Sequence, residues 1–384
     1  MKNALAKIAL YLYPLNLKFA GIFNLADLLI IKSGRLSLGG LYAAGVFLLL
    51  MILSAFQIIF YNRSIEFNIM YVPVKLAIIF LYFGVYFKYS PVRISKAMVY
   101  IAFFPLVVSI LGLVSPNINA LVNNFYGLTE SETWRYGGIF GQDVNSLGMY
   151  STLSLILLYL SKDVLRLNFL ELIFGVLFCL ICIIVSGMRA GLIALVVTLF
   201  LIYFLDEKSR NEIIRSLLYA LPAIFCILLL TSLFIDEKYY ALLQDRFSFD
   251  SLLGDFDADG DGNLAVAINY FHSVVGGEFD AFAIIFGYDS SLIFVDNFFV
   301  FVFVKYGIVG LVLTFLYFIY AYRRAKEWGR INNSIIGLFF VVYTMIISLK
   351  GIFPLAGYYL YLITISISII SQKNYKIKCV EFSA

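Results

Sequence analysis

Long apolar runs, separated by short polar clusters, dominate this chain. A helix that crosses a membrane needs about 20 mostly apolar residues. Runs of that kind fall at 40–62, 68–87, 97–115, 144–161, 168–186, 189–205, 214–235, 293–320, 334–350 and 352–371. Residues 4–32 are interrupted by Pro14 and Lys18 and make either one crossing or a pair of short helices. The pattern predicts an all-α polytopic membrane protein with about 11 or 12 transmembrane helices. It contains no internal repeat and no low-complexity segment.

The run NFLELIFGVLFCLICIIVSGMRAGLIALVVTLFLIYFL, residues 168–205, holds Arg189 near its centre. A guanidinium in mid-hydrocarbon is costly. Length resolves the conflict. The run divides into two helices of about 19 and 16 residues, each near the minimum for a crossing. SGMRAG becomes the turn between them, and Arg189 moves to a membrane surface.

Composition supports lipid as the solvent. Of 384 residues, 62% are hydrophobic and 14% charged, against roughly 25% charged in soluble domains. The net charge of +4 gives no nucleic-acid signal, because the cations lie in short loops rather than on one face. Those loops set the orientation. The connections 88–96, 162–167, 206–215 and 321–333 and the tail 373–384 are basic, which predicts a cytoplasmic location. The segments 63–67, 116–143, 186–189 and 236–292, and the turn near 350, then face outward. Lys2 and Lys7 favour an inside start and hence twelve spans. No cleavable signal peptide is evident. Cys179, Cys182, Cys226 and Cys379 show no metal-ligand spacing and no disulfide framework.

The outward side carries the long connections, 116–143 and 236–292. The larger has eleven Asp/Glu, two cations (Lys238 and Arg246) and the only histidine, His272. Residues 262–286 read as amphipathic helix lying at or above the bilayer. Arg189 is either a snorkelling arginine on lipid phosphate or a planar fork for a diphosphate, with Gly187, Ala190 and Gly191 leaving room around it. Arg135, in TWRYGGIFGQDVNSLG, precedes a helix that Asp143 and Asn145 can cap. The alternatives there are a structural Arg–Asp pair and an anion site at a helix N-terminus. Arg246 either pairs with Asp245 or Asp250 or binds an anion. Lys305 falls inside the run 293–320, two to three turns from its outer end, and intramembrane cations are functional candidates. Lys350, at an outer turn, is open to snorkelling. His272 is a general base or a helix-face histidine. In GDFDADGDGN, Asp255, Asp257, Asp259 and Gly260 fit the first half of a calcium loop, but Val266 stands where glutamate is needed. A solvated acidic tip is the competing reading.

In order along the chain, SGMRAG, the large outward loop and VDNFFVFVFVKYGIVG resemble the O-antigen polymerase (Wzy) and O-antigen ligase superfamily of bacterial membrane glycosyltransferases. The resemblance covers roughly residues 95–350 as scattered motifs. The ligases carry a histidine, then Asn, Ser or Gln, nine residues, and Gly-x-x-Gly. Here Asn297, Gly307 and Gly310 keep that spacing, with Asp296 at the histidine position. The ligases' Arg-x-x-x-Leu reads Arg189 to Ile193. Both departures favour a polymerase. IIFGYD, residues 284–289, is similar to the turn that closes the large loop.

The resemblance implies oligosaccharide repeat units on undecaprenyl diphosphate, polymerised at the periplasmic face of the inner membrane in lipopolysaccharide or related polysaccharide biosynthesis. It implies diphosphate binding by Arg189, then Arg135 and Arg246, with Asn145 and Lys305 as further contacts. Asp296 is the first choice as base, followed by Asp143 and His272. No cofactor or metal is implied. A chain-length regulator and a flippase are the implied partners, together with membrane lipids. Two rivals are a ligase acting on lipid A–core and a polysaccharide or lipid transporter. A transporter needs acids within its spans, and Glu171, near a cytoplasmic end, is the one clear case.

Overall fold

The computed structural model describes residues 2–15, 18–19, 23–24, 94–126, 138–140, 144–187, 281–287, 298–332, 336–349, 361–362 and 365–370, with single positions at 29, 45, 49, 52, 191, 193–194, 196–197, 200 and 334. The chain divides into two compact units, Ile94–Leu253 and Met1–Arg93 with Gly254–Ala384. The described residues are helical apart from one two-residue antiparallel ladder, Lys18–Phe19 with Phe23–Asn24.

Helix α1 (Lys2–Leu12) belongs to the other unit, and the unit Ile94–Leu253 contains α2 (Lys96–Ala102), α3 (Phe104–Val114), α4 (Pro116–Tyr126), α5 (Val144–Val164) and α6 (Phe169–Ser186). Helices α2 and α3 form one apolar rod bent by 41°. The cause is local: Pro105 has no N–H to donate and clashes with the preceding turn. The Leu106 N–H turns to the Phe103 carbonyl, leaving the Ala102 carbonyl to accept from the Tyr150 hydroxyl at 2.6 Å. Tyr150 is fully buried, so α5 completes the hydrogen bonding that the bend disrupts.

Helices α5 and α6 are joined by a four-residue turn. Arg166 adopts φ 53°, and the Leu167 N–H reaches back to the Lys162 carbonyl, the pattern of a Schellman end. Asn168 and Glu171 then start α6 through a reciprocal capping box, at 2.6 and 2.8 Å. Gly175 packs on the Leu158 side chain, whose methyl groups would have to shift to admit a Cβ. Cys182 meets the Ser151 hydroxyl and the Leu106 carbonyl.

The other unit contains α1 (Lys2–Leu12), a 3-10 turn at Tyr13–Leu15, the ladder, α7 (Ala281–Phe286), α8 (Phe298–Asn332) and α9 (Ile336–Ser348). The N-terminal region is thus no uninterrupted crossing: α1 is about 16 Å long at 1.5 Å per residue, and the chain turns at Pro14. Tyr13 stacks on Tyr361 with ring centroids 5.4 Å apart.

The apolar run 293–320 does not form one straight span. Gly307 has φ 62° and ψ −158° inside α8. Phe299 stacks on Phe315 with centroids 5.8 Å apart and also meets Phe318 at 5.9 Å. In a straight helix the first pair would be about 24 Å apart. So α8 folds back on itself at Gly307. Gly310, seated against Tyr306 and Val302, leaves the arms room to close. The arm 298–306 is too short to cross a bilayer, and the arm 308–332 holds the crossing length. Lys305 therefore lies two residues from a hairpin tip, not mid-span. The basic stretch 321–333, expected as a loop, is helix through Asn332, with Arg324 bonded to Glu327 at 2.9 Å and lying over the Tyr320 ring.

Phe169–Ser186 is long and apolar enough to cross a membrane, as is the stretch Phe298–Ile331 through its long arm beyond Gly307, and α2–α3 would make a third crossing if the bent pair is one span. The interior suits that solvent. The buried hydroxyls of Ser109, Ser151, Thr152, Ser161, Thr314, Thr344, Ser348 and Ser366 each donate to the carbonyl four residues earlier, so no water is needed to satisfy them. Beyond the hairpin tip, Ile308, Val312, Phe315, Leu316, Ile319 and Tyr322 form an exposed apolar stripe. The expected spans 40–62, 68–87 and 214–235 lie outside the described residues, save helical positions 45, 49 and 52.

Three substitutions test these contacts. Gly307→Ala meets both the positive φ and the Ile285 carbonyl, and should cost about 1–3 kcal/mol. Gly45→Ala, with open space around it, should leave the melting temperature in detergent unchanged or higher. Tyr150→Phe strands the Ala102 carbonyl and should cost about 1–3 kcal/mol. Thermal unfolding followed by size-exclusion chromatography measures all three.

Candidate functional site

One end of the unit Ile94–Leu253 gathers the segments that lead to the sequence candidates. The pairs Leu158/Gly175 and Ser151/Cys182 are seven residues apart on both α5 and α6, so the two helices run antiparallel in constant register. Four residues further along each helix, Leu147 comes level with Ser186 at the end of α6. The α2–α3 rod runs in the same direction as α6, since Lys96 at its start meets Glu171 and Leu106 further along meets Cys182. The end of α3, the start of α5 and the end of α6 therefore lie together.

A 3-10 turn, Gly138–Phe140, packs at that end. The Ile139 N–H donates to the Ser109 hydroxyl at 3.4 Å, and Ser109 donates to the Pro105 carbonyl. Gly138 has φ 55°, and a Cβ there would collide with Ser109. Phe140 packs on Tyr150. Gly187 ends α6 in the left-handed region, its N–H bonded to the Ile184 carbonyl. Helical backbone is present again at Gly191. Ile193, Val196, Val197 and Phe200 are exposed and Ala194 is buried, which is an apolar stripe at helical spacing.

Arg135 precedes the 3-10 turn by three residues, Asp143 precedes Val144, and Arg189 follows Gly187 by two. All three lie outside the described residues. Asn145 occupies the first turn of α5, and its side chain lies outside the described residues. Arg246, His272, Asp296, Asn297 and Lys350 also lie outside them, as does the acidic stretch 255–263.

Of the charged candidates, Lys305 is described in full. Its ammonium lies 5.2 Å from the Phe301 ring centroid. Its backbone carbonyl abuts Gly287, the residue that ends α7 with φ 91°. Gly307 in turn abuts the Ile285 carbonyl. Two glycines thus press α7 onto the tip of α8, backbone to backbone. Among the described residues no group of three His, Cys, Asp or Glu is arranged to hold a metal ion.

The opposite end of α6 is charged. Glu171 accepts from Lys96 at 3.2 Å, from Tyr100 at 2.5 Å and from the Asn168 N–H at 2.6 Å. Lys162 lies over the Tyr159 ring. The acid read from sequence as intramembrane is therefore a helix cap and an ion-pair partner in the first turn of α6. The Asn-x-x-Glu spacing of a capping box was the legible signal. The Tyr150 bond and the hairpin at Gly307 escaped sequence reasoning. For the hairpin, the available signal was an apolar run far longer than one crossing with a glycine inside it.

Comparison with protein-family models and with curated proteins finds no match.

The register is open to a direct test. Ser151→Cys should form an intramolecular disulfide with the native Cys182 on mild oxidation, seen as a linked peptide by mass spectrometry. The link should vanish in Ser151→Cys/Cys182→Ser. A link to Cys179 instead would contradict the register.

Proposed function

We propose that this protein is a polytopic inner-membrane glycosyltransferase that polymerises undecaprenyl-diphosphate-linked oligosaccharide repeat units at the periplasmic face. One observation carries the reading. At a single end of one helical unit, opposite the charged Lys96–Glu171 end, three segments arrive together that lead in sequence to Arg135, to Asp143 and Asn145, and to Arg189. The positive-inside bias of Lys96, Lys162 and Arg166 makes the charged end cytoplasmic. The convergent end is then periplasmic, where lipid-linked glycans are presented.

The chemistry asks little beyond that arrangement. An acceptor sugar hydroxyl attacks the anomeric carbon of the growing chain. The bond from that carbon to the diphosphate breaks, and the diphosphate leaves with the electron pair. Guanidinium groups fixed where that negative charge accumulates lower the barrier. Arg189 is the first candidate for this role, then Arg135 and Arg246, with Asn145 and Lys305 as further candidates. Asp296 takes the acceptor proton as general base, with Asp143 and His272 as the other candidates. The exposed apolar stripes provide a surface for the polyprenyl tail. The 11- or 12-span topology, a helical periplasmic loop at 236–292 and a cytoplasmic C-terminus complete the proposal.

Deletion of the gene followed by a glycan gel tests it. Complementation with Arg189→Ala should leave single capped units and no ladder, and Arg189→Lys should restore short chains only, since an ammonium cannot replace a planar fork. Asp296→Ala should also lose the ladder. Normal ladders in Arg189→Ala and Asp296→Ala refute the site, and loss of all glycan attachment points to a ligase instead.

A further inference from the structure

Helix α4 carries no charged residue. It begins directly after α3, the end of the bent apolar pair. Ser115 is the one residue between them, extended at φ −125° and ψ 110°. The Ser115 N–H donates to the Leu111 carbonyl, and the Ser115 carbonyl accepts from Asn119. Pro116 at the first helical position suits the abrupt start. One side of α4 is held, with Val122 buried.

The other side is open. Pro116, Asn117, Ala120, Leu121, Asn124 and Phe125 are exposed, with Leu121 at 68% and Phe125 at 67%. In PNINALVNNFY there is no Asp, Glu, Lys or Arg. A helix facing water normally carries charges on its outer face. A helix in hydrocarbon would not keep four asparagines. Uncharged amides beside Leu and Phe, ending in the aromatic pair Phe125–Tyr126, suit the boundary between headgroups and acyl chains. The open face also continues an apolar surface, because Leu111, Leu113 and Val114 at the end of α3 are exposed, Val114 to 78%.

We propose that α4 lies in the membrane interface, with Leu121 and Phe125 set among the lipid acyl chains of the leaflet that α3 reaches. Lacking charge, it holds there by apolar insertion, independent of anionic lipid. It is a float at the height of the bilayer surface, directly ahead of the segment that carries Arg135. The inference does not rest on the proposed reaction and stands or falls separately from it.

The test uses the full chain in proteoliposomes, with nitroxide labels at Leu121→Cys, Phe125→Cys and Asn124→Cys in a background lacking the native cysteines. Power saturation with oxygen and a water-soluble nickel chelate measures depth. Ile319→Cys, on the apolar stripe of α8, and Glu327→Cys, exposed beyond it, give deep and aqueous references. Leu121→Cys and Phe125→Cys should fall between the two, equally in phosphatidylcholine and in phosphatidylcholine–phosphatidylglycerol vesicles, with Asn124→Cys nearer the water. Asn124→Cys is the fallback variant should removal of an apolar side chain impair folding. Ratios equal to Glu327→Cys overturn the proposal. So do labels shielded from both reagents, which would mean that protein covers the face. A strict requirement for anionic lipid overturns it as well.

Discussion

Two backbones meet with no side chain between them where Gly287 rests on Lys305–Tyr306 and Gly307 rests on Ile285. Both glycines use positive φ, which a side chain would strain. This contact lets α8 reverse direction in one residue and fixes α7 at the reversal. Without it the apolar stretch from Phe298 onward would extend as a single rod. The rings of Phe299, Phe315 and Phe318 would then lie far apart along that rod instead of packing together. Lys305 gains its position from the same fold-back, since the reversal draws it from an apparent mid-membrane site to the edge of a turn.

The unit Ile94–Leu253 rests on a related economy of polar groups. In an apolar solvent every carbonyl released by a bend must find a donor from within the protein. Pro105 bends the α2–α3 rod, and Tyr150 supplies the missing hydrogen bond. Ser109 on α3 and Ser151, Thr152 and Ser161 on α5 donate to carbonyls of their own helices, so these hydroxyls are satisfied where the helices pack closely. The closeness holds α5 and α6 in constant register, and the register brings the ends of three helices together at one side. The charged groups at the other side, Lys96, Lys162 and Glu171, give the unit its polarity.

Much of this was legible in the sequence. Apolar runs located α5, α6 and α9 to within a few residues, and SGMRAG marked the end of α6, where Gly187 takes the left-handed conformation. Other features were hidden for physical reasons. Hydropathy reports how much apolar surface a stretch has but not its direction, so the reversal at Gly307 read as a longer span. Arg323 to Arg330 read as a loop because basic residues mark membrane edges, yet they are good helix formers and α8 continues through them. Helix α4 has too little apolar surface to register as a span and too little charge to register as solvent-facing. Of the proposed site, the described helix ends are the neighbours in sequence of Arg135, Asp143 and Arg189, which themselves lie outside the described residues.

The central claim is that these helix ends serve a glycosyl transfer that expels a lipid diphosphate. Its most direct measurement is a reconstituted reaction. The purified protein in proteoliposomes is given synthetic undecaprenyl-diphosphate oligosaccharide, and both glycan length and released lipid are followed by mass spectrometry. The account predicts lipid-linked dimers and longer chains, with one undecaprenyl diphosphate freed for each bond formed. Substrate that stays unelongated, or that crosses the bilayer chemically unchanged, would contradict it.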